Sequence, residues 1–317
     1  LLREGITYQV EPVMAFGPAA RRRVVFPARS TANGVNFGFL QRDSELIIDI
    51  DQCPVLIDEI TGNLSEIRDL AAILCDRKGN SKITVLAFDN GLDVAIETRP
   101  SPGNSSVIRA IEFAGLHSFA RLCLNGEILI ETRRPYLSCG PANVTPPPGG
   151  FVQAVAAAEN SMARLVCDHF SDCSSVADLF CGHGAFALRL AEQSTVYAAE
   201  SSETAIEALD QAWRGTGGKL KQIVTEKRDL YRRPMSTAEM KKISGVVFDP
   251  PRAGAIEQAR HLALSNVSKI AAVSCNPVTL ARDLAILIDG GYNLMSVSPI
   301  DQFIYTPHVE AVALLER

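Results

Sequence analysis

Two short motifs in the last third of the chain carry side chains that could take part in a reaction. Cys275 lies in the run Ser-Cys-Asn-Pro, and Asp249 begins the run Asp-Pro-Pro-Arg, which ends at Arg252. Each motif directly follows a short apolar run, so we expect both at neighbouring strand ends of one parallel sheet. Open α/β sheets bind their ligands at that edge. A cysteine placed there can form a covalent bond to a substrate.

The part of the chain after residue 150 shows an alternating pattern of strands and helices. The predicted strands are 175–180, 195–200, 221–225, 245–249, 269–274, 293–299 and 309–315. The predicted helices are 185–192, 203–213, 255–264 and 277–289. Alternation of this kind predicts a parallel sheet with right-handed crossovers. The connection 301–308 is too short for a helical crossover, so the last two strands should form an antiparallel hairpin. This α/β layout is typical of a Rossmann-like class I methyltransferase domain.

A segment rich in proline and glycine, 141–150, predicts an extended linker between two domains. The apolar runs before it that predict strands are 45–50, 83–88 and 94–98. Residues 56–73 have helical periodicity. We therefore predict a mixed α+β domain with a largely antiparallel sheet at 1–140, followed by the α/β domain at 151–317.

The composition limits the classes of protein that remain. The 317 residues are 47% hydrophobic and carry a net charge of −5, which argues against a nucleic-acid-binding field over the whole surface. The eight cysteines form no Cys-x-x-Cys pair, so we expect reduced thiols rather than zinc fingers or a disulfide framework. The sequence shows no signal peptide and no membrane span. We predict a monomer in the cytoplasm.

A glycine-rich turn, Asp178–Gly184, closes the first strand of the second domain. Gly182 lets the backbone pass close to a ligand. Glu200 ends the next strand, where a carboxylate can accept both hydroxyls of a ribose. Asp229 follows the third strand, where it can reach an adenine amino group. Because no full Gly-x-Gly-x-x-Gly is present to cradle a pyrophosphate, we expect S-adenosylmethionine, which has no phosphate, rather than NAD.

The cysteine indicates which substrate would be methylated. C5 of uracil is a weak nucleophile, and addition of a thiolate at C6 makes it carbanion-like. A free thiol has a pKa of about 8.5, and we expect the helix that begins near Pro277 to lower the pKa of Cys275. A base must then remove the C5 proton. Glu310 is the first candidate and His308 the second.

Taken together, these motifs resemble those of the RNA uracil-C5-methyltransferases, which form 5-methyluridine in transfer and ribosomal RNA. The match extends over nearly the whole chain, and its segments are 151–153, 178–184, 249–254, 274–277, 280–283 and 308–310. The resemblance implies that Cys275 is the nucleophile and that Glu310 takes the C5 proton. It also implies a site for S-adenosylmethionine, with Asp249 close to the target base as well. The residues implied for that site are Gln153, Phe180, Glu200, Asp229 and Asp249.

The chain departs from the family pattern at two places. The family often has an asparagine after its Gly-x-Gly turn, where this chain has Ala185. Many members hold a [4Fe–4S] cluster with three N-terminal cysteines and one in a Gln-Cys-Pro run, which Cys53 matches. Such a cluster needs four thiolates, and no partner cysteine precedes Cys53. Since the chain begins with Leu1, we expect either that a preceding segment carries the ligands and an RNA-binding β-barrel or that Cys53 is a relic.

RNA contacts are expected from the first domain, where residues 1–42 hold six arginines and two glutamates. The candidate phosphate contacts are Arg21, Arg22, Arg23 and, in the second domain, Arg252. The candidate rings for base stacking are Phe26, Phe37 and Phe39. Phosphate contacts position an RNA, and aromatic rings stack on its unpaired bases.

Several related functions remain open from the sequence. RNA methyltransferases that modify exocyclic amines carry a similar Asp-Pro-Pro, but with an aromatic residue in place of Arg252 and no need for Cys275. RNA 5-methylcytosine methyltransferases usually use two cysteines, one at the Asp-Pro-Pro motif and one at the position of Cys275. This chain has a cysteine at the second of these positions alone. A non-catalytic RNA-binding paralogue would be consistent with Ala185. We predict transfer of a methyl group to C5 of a uridine in 23S rRNA or tRNA, two targets that the sequence does not distinguish.

Overall fold

The computed structural model describes residues 1–32, 34–75, 81–117 and 119–317. These residues divide into two compact units, which we call the large unit and the small unit. The large unit comprises Leu1–Phe16, Ser138–Val144 and Ala157–Arg317. The small unit comprises Gly17–Leu137 and Thr145–Ala156. The predicted linker 141–150 is shared between the two units, because residues 142–144 pair as a strand with 137–139.

The strands and helices are numbered along the chain. The strands are β1 (Met14–Ala15), β2 (Arg23–Thr31), β3 (Gly34–Leu40), β4 (Ile47–Asp49), β5 (Ser81–Phe88), β6 (Gly91–Glu97), β7 (Arg121–Leu124), β8 (Glu127–Glu131), β9 (Leu137–Cys139), β10 (Ala142–Val144), β11 (Ser175–Leu179), β12 (Thr195–Glu200), β13 (Ile223–Lys227), β14 (Gly245–Phe248), β15 (Lys269–Ser274), β16 (Asn293–Asp301) and β17 (Glu310–Glu316). The helices are α1 (Asp58–Thr61), α2 (Leu64–Leu74), α3 (Asn104–Leu116), α4 (Ala156–His169), α5 (Ala187–Leu190), α6 (Glu203–Gly215), α7 (Ile256–Ala263) and α8 (Pro277–Asp289).

The large unit is built on an eight-stranded sheet in the order β1-β16-β17-β15-β14-β11-β12-β13. Strands β11 to β15 run parallel, and β17 is antiparallel to both of its neighbours, β15 and β16. The predicted parallel sheet with a terminal antiparallel hairpin is therefore confirmed. The sequence did not predict β1, because two residues have no period that could be recognised. Helix α4 was also missed.

Two helices of this unit, α6 and α8, begin at recognisable capping residues. The hydroxyl of Ser202 accepts a hydrogen bond from the backbone N–H of Ala205 at the start of α6. The side chain of Asn276 accepts one from the N–H of Val278 at the start of α8, whose first residue is Pro277. Proline suits that position because its missing N–H would have no partner inside the helix. The cap fixes the chain direction directly after Cys275.

The small unit is a seven-stranded sheet in the order β4-β3-β2-β5-β6-β7-β8, in which β6 and β7 are the one parallel pair among the described strands. The predicted mixed α+β domain with a largely antiparallel sheet is confirmed. Phe26 and Phe37 are fully buried in its core, with ring centroids 4.5 Å apart, and Phe39 packs against the same core. The prediction that Phe26 and Phe37 stack on RNA bases is wrong, because both rings are fully buried in this core. Phe39 is partly exposed, so its contact with a base stays a prediction.

A buried ion pair joins two strands of the small unit. Arg121 on β7 donates from Nε and Nη2 to the two carboxylate oxygens of Asp93 on β6, at 2.7 and 3.0 Å. A further hydrogen bond runs from Arg121 Nη2 to the carbonyl oxygen of Pro146 at 3.0 Å. Both side chains are almost completely buried, so each charge depends on the other for its compensation.

Within the described ranges, each helix is too short or too polar to cross a membrane.

Candidate active site

The C-terminal ends of four parallel strands bring the motif residues of the large unit to one edge of the sheet. In the register, Leu179 of β11 pairs with Phe248 of β14 and with Ala199 of β12. The next residues along these strands, Phe180, Asp249 and Glu200, therefore lie side by side. They do so because parallel strands of similar length end at the same edge.

Cys275 and Glu310 meet at the same edge by a different route. Ser274, the last residue of β15, pairs with Ala311 near the start of antiparallel β17. Continuing that register by one residue places Cys275 opposite Glu310. Residues that lie opposite each other in an antiparallel pair point to the same face of the sheet. The thiol and the carboxyl group are thus brought together from two strands of opposite direction.

The turn after β11 has the backbone shape that its glycines predict. Phe180, Gly182 and Gly184 all have positive φ angles, of 62°, 53° and 93°. A Cβ on Gly184 would lie 2.4 Å from Cδ1 of Leu209, so this glycine permits close packing against α6. A Cβ on Gly182 would meet no atom within 4 Å. The space over Gly182 is therefore open, which fits a ligand that approaches the backbone there.

Glu200 is held in a fixed orientation at the end of β12. One of its carboxylate oxygens accepts the N–H of Gly182 at 3.2 Å, and the other accepts the hydroxyl of Ser201 and the N–H of Ser202 at 2.8 and 2.9 Å. Asp229, after β13, accepts the N–H of Tyr231 at 3.0 Å, and its side chain is half exposed. Both carboxylates are positioned by local backbone groups and keep a surface that a ribose or a base can reach.

Asp178 is a buried acid that the sequence analysis did not single out. It precedes the glycine turn on β11, its side chain is fully buried, and the backbone N–H of Ala187 is the hydrogen-bonding group that acts on its carboxyl group and opposes the rise of its pKa. Burial, and then the charges of Asp249 and Glu200, raise its pKa well above the ordinary value. This shift favours the neutral form of Asp178 over the carboxylate. Its place on an otherwise apolar strand was the signal that could have identified it.

Two carboxyl groups near the cysteine titrate close to neutrality. Glu310 is buried, and burial raises its pKa to about 7, against the opposing effects of the Gln302 amide and the Arg252 guanidinium. Burial and the charge of Glu310 also raise the pKa of Asp249 to about 7. These groups can take or give a proton at the pH at which most enzymes work.

The thiol of Cys275 differs from the expectation. Burial raises its pKa, the charges of Glu310 and Asp249 raise it further, and Arg252 acts in the opposite direction. Helix α8 does begin at Pro277 as predicted, but the pKa of Cys275 is raised, chiefly by burial, and the expectation that it is lowered is wrong. In the free protein, burial and the two neighbouring carboxylates therefore disfavour the thiolate of Cys275.

The Asp-Pro-Pro-Arg loop is anchored by residues of α8. Asp283 accepts the N–H of Ala255 at 2.7 Å, and Arg282 donates to the carbonyl oxygen of Ala253 at 3.1 Å. Gly254, between them, has a φ of 74°, and a Cβ there would lie 2.7 Å from an oxygen of Asp283. The sequence analysis named the run 280–283 only as part of a resemblance. In the structure, Arg282 and Asp283 of this run hold the loop in place.

The side chain of Arg252 is exposed beside the thiol and the base. Its Nη2 lies 3.2 Å from Nδ1 of His308, and its charge acts on both Cys275 and Glu310. His308 is exposed and already paired with a cation, which makes it the weaker candidate for the base.

Ala185, where related sequences often carry asparagine, lies in a well-supported turn. Arg189 of α5 donates from Nη1 to the carbonyl oxygen of Ala185 at 2.6 Å. Its Nη2 donates to Asn160 at 2.8 Å and to Glu159 at 3.3 Å. The turn is thus held from α4 and α5 without an asparagine side chain at 185.

The remaining predicted residues lie in the small unit. Arg22 is buried, and its Nε donates to the carbonyl oxygen of Gln153 at 3.1 Å, so its predicted contact with an RNA phosphate is wrong. The alternation of β2 explains this, since Arg22 shares the covered face of the strand. Arg21 and Arg23 point to the other face and are partly exposed. Gln153 itself is buried, and its contact with the cofactor stays a prediction.

Cys53 also belongs to the small unit, where it is buried as part of the hydrophobic core. Within the described ranges, no group of three or more histidine, cysteine, aspartate or glutamate side chains is placed to hold a metal ion. Since a [4Fe–4S] cluster needs four thiolates, these residues do not provide a site for one.

Comparisons with known proteins agree with this arrangement. Residues 145–317 match the family described as tRNA (Uracil-5-)-methyltransferase. An uncharacterized RNA methyltransferase of Agrobacterium fabrum is 46% identical over 318 residues, which cover 100% of this chain and 76% of that protein. The 23S rRNA (uracil(1939)-C(5))-methyltransferase RlmD of Pseudomonas fluorescens is 31% identical over 312 residues, which cover 95% of this chain and 68% of that protein.

The fold is shared with a solved structure. The crystal structure of Pyrococcus abyssi tRNA (uracil-54, C5)-methyltransferase in complex with S-adenosyl-L-homocysteine has a TM-score of 0.75 to this chain at 23% sequence identity. The similarity covers 97% of this chain and 79% of that chain.

Proposed function

This chain belongs to the tRNA (uracil-5-)-methyltransferase family and is an S-adenosylmethionine-dependent RNA methyltransferase, and we propose that it methylates C5 of a uridine through a covalent bond from Cys275. The placement of Cys275 opposite Glu310 carries this proposal. A nucleophile and a base on the same face of the sheet are the two groups that methylation at C5 needs.

The proposed reaction has three steps. The thiolate of Cys275 adds to C6 of uracil, an S–C6 bond forms, and the electron pair of the C5–C6 double bond moves into an enolate. C5 then bonds to the methyl carbon of S-adenosylmethionine, and the electron pair of the broken bond stays on the donor sulfur. Glu310 removes the C5 proton, the C5–C6 double bond forms again, and Cys275 leaves as a thiolate.

The pKa of Glu310, about 7, suits the last step. A general base is most effective when its pKa lies near the working pH. Burial also keeps bulk water away from the carboxyl group. Asp249, next to Glu310 at the end of β14, is assigned to the contact with both the methyl donor and the target base.

The donor site is assigned to the strand ends of β11 and β12 and the turns that follow them. We assign Phe180 and Gly182 to the turn that approaches the donor, Glu200 to the ribose hydroxyls and Asp229 to the adenine. The open space over Gly182 and the fixed carboxylate of Glu200 support these roles.

The RNA contacts are assigned to exposed cations. Arg252, beside Cys275, is placed to contact a phosphate or sugar of the target nucleotide, and Arg21 and Arg23 are assigned to phosphates further along the RNA.

The target uridine must leave its stack to reach a thiol and a methyl group together, so we expect base flipping. A uridine of 23S rRNA is the first candidate, since the 23S rRNA methyltransferase RlmD of Pseudomonas fluorescens is 31% identical; a tRNA uridine is the second. The monomeric state and the cytoplasmic location stay predictions.

The proposal is tested with RNA that contains 5-fluorouridine. Fluorine at C5 leaves no proton to remove, so the reaction should stop at a protein–RNA adduct that survives denaturation. Transcripts of tRNA and of 23S rRNA segments are incubated with the protein and S-adenosylmethionine, and the adduct is measured on denaturing gels. Cys275→Ala should abolish the adduct, whereas the matched control Cys167→Ala should leave it unchanged.

Two outcomes would contradict the proposal. Methylation of RNA without any adduct would favour an exocyclic-amine methyltransferase, in which Cys275 is dispensable. An adduct that persists in Cys275→Ala would place the nucleophile elsewhere. Mass spectrometry of nucleosides from an ordinary transcript identifies the methylated atom in either case.

A further inference from the structure

Gln302 is a buried amide next to Glu310. It directly follows Asp301, the last residue of β16, and its side chain is 3% exposed. Its Nε2 donates to Oε1 of Glu310 at 3.3 Å. The carboxylate of Asp301 accepts the N–H of Phe303 at 3.1 Å, which fixes the turn that begins at this point. Gln302 is therefore held between the end of a strand and an anchored turn.

The groups that face Glu310 come from different elements. Gln302 follows β16, Asp249 and Arg252 belong to the loop after β14, and Cys275 directly follows β15; the pKa of Glu310 responds to Gln302 and Arg252, and the charge of Glu310 acts on Asp249 and Cys275. The guanidinium and the amide favour an ionised Glu310, whereas the Asp249 carboxylate and a Cys275 thiolate oppose it. His308 contacts Arg252 and affects Glu310 through that contact. Gln302 is the uncharged donor in this set, so its contribution does not change with pH.

The hydrogen bond has a geometric consequence for the two oxygens of Glu310. The Gln302 amide hydrogen-bonds to Oε1, so Oε2 is the oxygen that this contact leaves available for a proton. Arg252 lies at the exposed side of the site, where RNA would draw its charge towards a phosphate. Gln302, which is buried, would keep its contact throughout the reaction.

We infer that Gln302 positions Glu310 by holding Oε1, so that Oε2 of the ionised carboxylate takes the C5 proton. This inference rests on the proposed function. Loss of the amide should leave the addition of Cys275 and the methyl transfer intact and should slow the removal of the proton. The hydrogen bond from Gln302 lowers the pKa of Glu310, and this effect agrees with the role.

The experiment follows proton removal directly. RNA with tritium at C5 of uridine is mixed with excess protein and S-adenosylmethionine, and tritium release in a single turnover is measured on both sides of neutral pH. Gln302→Met keeps the length of the side chain and removes the donor. We expect the midpoint of its pH profile for tritium release to move to a higher pH by about one unit. This is the shift that loss of one hydrogen bond to a charged group produces. Adduct formation on 5-fluorouridine RNA should be unchanged.

The matched control is Gln258→Met. Gln258 is buried in the same unit, and its amide makes two hydrogen bonds to the backbone of Met235, away from the site. This variant should lower stability and leave the pH profile where it is. Gln302→Glu, nearly identical in shape, adds a carboxylate beside Glu310 and should move the profile further upward than Gln302→Met does, which provides a second measurement if the methionine variant does not fold.

A failure of the role of Gln302 can be distinguished from a failure of the proposed function. Profiles of Gln302→Met or Gln302→Glu that superimpose on that of the unaltered protein would overturn the role of Gln302, while the 5-fluorouridine adduct would still stand. Absence of the adduct in the unaltered protein would instead contradict the covalent reaction itself.

Discussion

Cys275 and Glu310 lie opposite each other at the end of the β15–β17 ladder, since Ser274 pairs with Ala311. They are 35 positions apart in the sequence. The geometry brings the proposed nucleophile and the proposed base together, and it also sets their charges against each other, because Glu310 raises the pKa of Cys275. The site thus holds two groups that disfavour being ionised together.

The first prediction concerns stability and pH. The pKa of Glu310 is raised from 4.5 to about 7, so the folded protein binds more protons than the unfolded chain between these values, and stability falls as pH rises through that window. Glu310→Gln should therefore raise the free energy of unfolding at pH 8 by at most about 3 kcal/mol and change it little at pH 4. Urea unfolding at the two pH values checks this. A variant that is less stable at pH 8 would contradict the raised pKa.

The second prediction concerns the reactivity of the thiol. Because burial and two carboxylates raise the pKa of Cys275, its alkylation by iodoacetamide in the free protein should have a midpoint above the value of about 8.5 for a free thiol. Asp249→Asn removes one of the two charges and should lower the midpoint. The alkylated residue is identified by mass spectrometry.

A pair of ligands that match in shape and differ in charge extends this test. S-adenosylmethionine carries a sulfonium, and S-adenosylhomocysteine of nearly the same shape does not. Both should shield the thiol sterically, but the cation should in addition favour the thiolate. We expect a lower midpoint with the first ligand than with the second. Equal midpoints would mean that the donor charge does not reach Cys275.

The third prediction concerns the open space over Gly182. Gly182→Ala costs about 1 kcal/mol in backbone strain because φ is positive, and its methyl group enters the space assigned to the donor. Gly217→Ala is the matched control, since Gly217 has a φ of 62° and also meets no atom within 4 Å. Both variants should lose similar stability. Calorimetric titration with S-adenosylhomocysteine should show weaker binding for Gly182→Ala alone, and equal affinities would place the donor elsewhere.

The fourth prediction concerns the small unit. Arg121→Met would leave the Asp93 carboxylate buried without its partner, which should destabilise the protein by about 3–5 kcal/mol. Arg42→Met removes an arginine whose ion pair with Asp43 is almost fully exposed and should change stability by less than about 0.5 kcal/mol. Thermal unfolding of both variants compares the two sites. If both variants lose similarly little stability, the Arg121–Asp93 pair contributes little to the stability of the protein.

Local sequence determined much of the large unit. The bounds of β15 and α8 were predicted to the residue, because an apolar run is followed there by an asparagine cap and a proline at the first helical position. The glycine turn after β11 was predicted as well, since positive φ angles require glycine at 182 and 184. Helix α5 is shorter than predicted, because its first residues form that turn.

Long-range packing decided the rest. The chemistry of Cys275 and Glu310 could be predicted from residue types, but only the insertion of β17 between β15 and β16 places them face to face. The burial of Arg22 and Phe26, the raised pKa of Cys275 and the contact of Gln302 with Glu310 follow from which face of a strand is covered and which charges lie near. A sequence pattern specifies the period of a strand, whereas its neighbours and its covered face are fixed by residues far away in the chain.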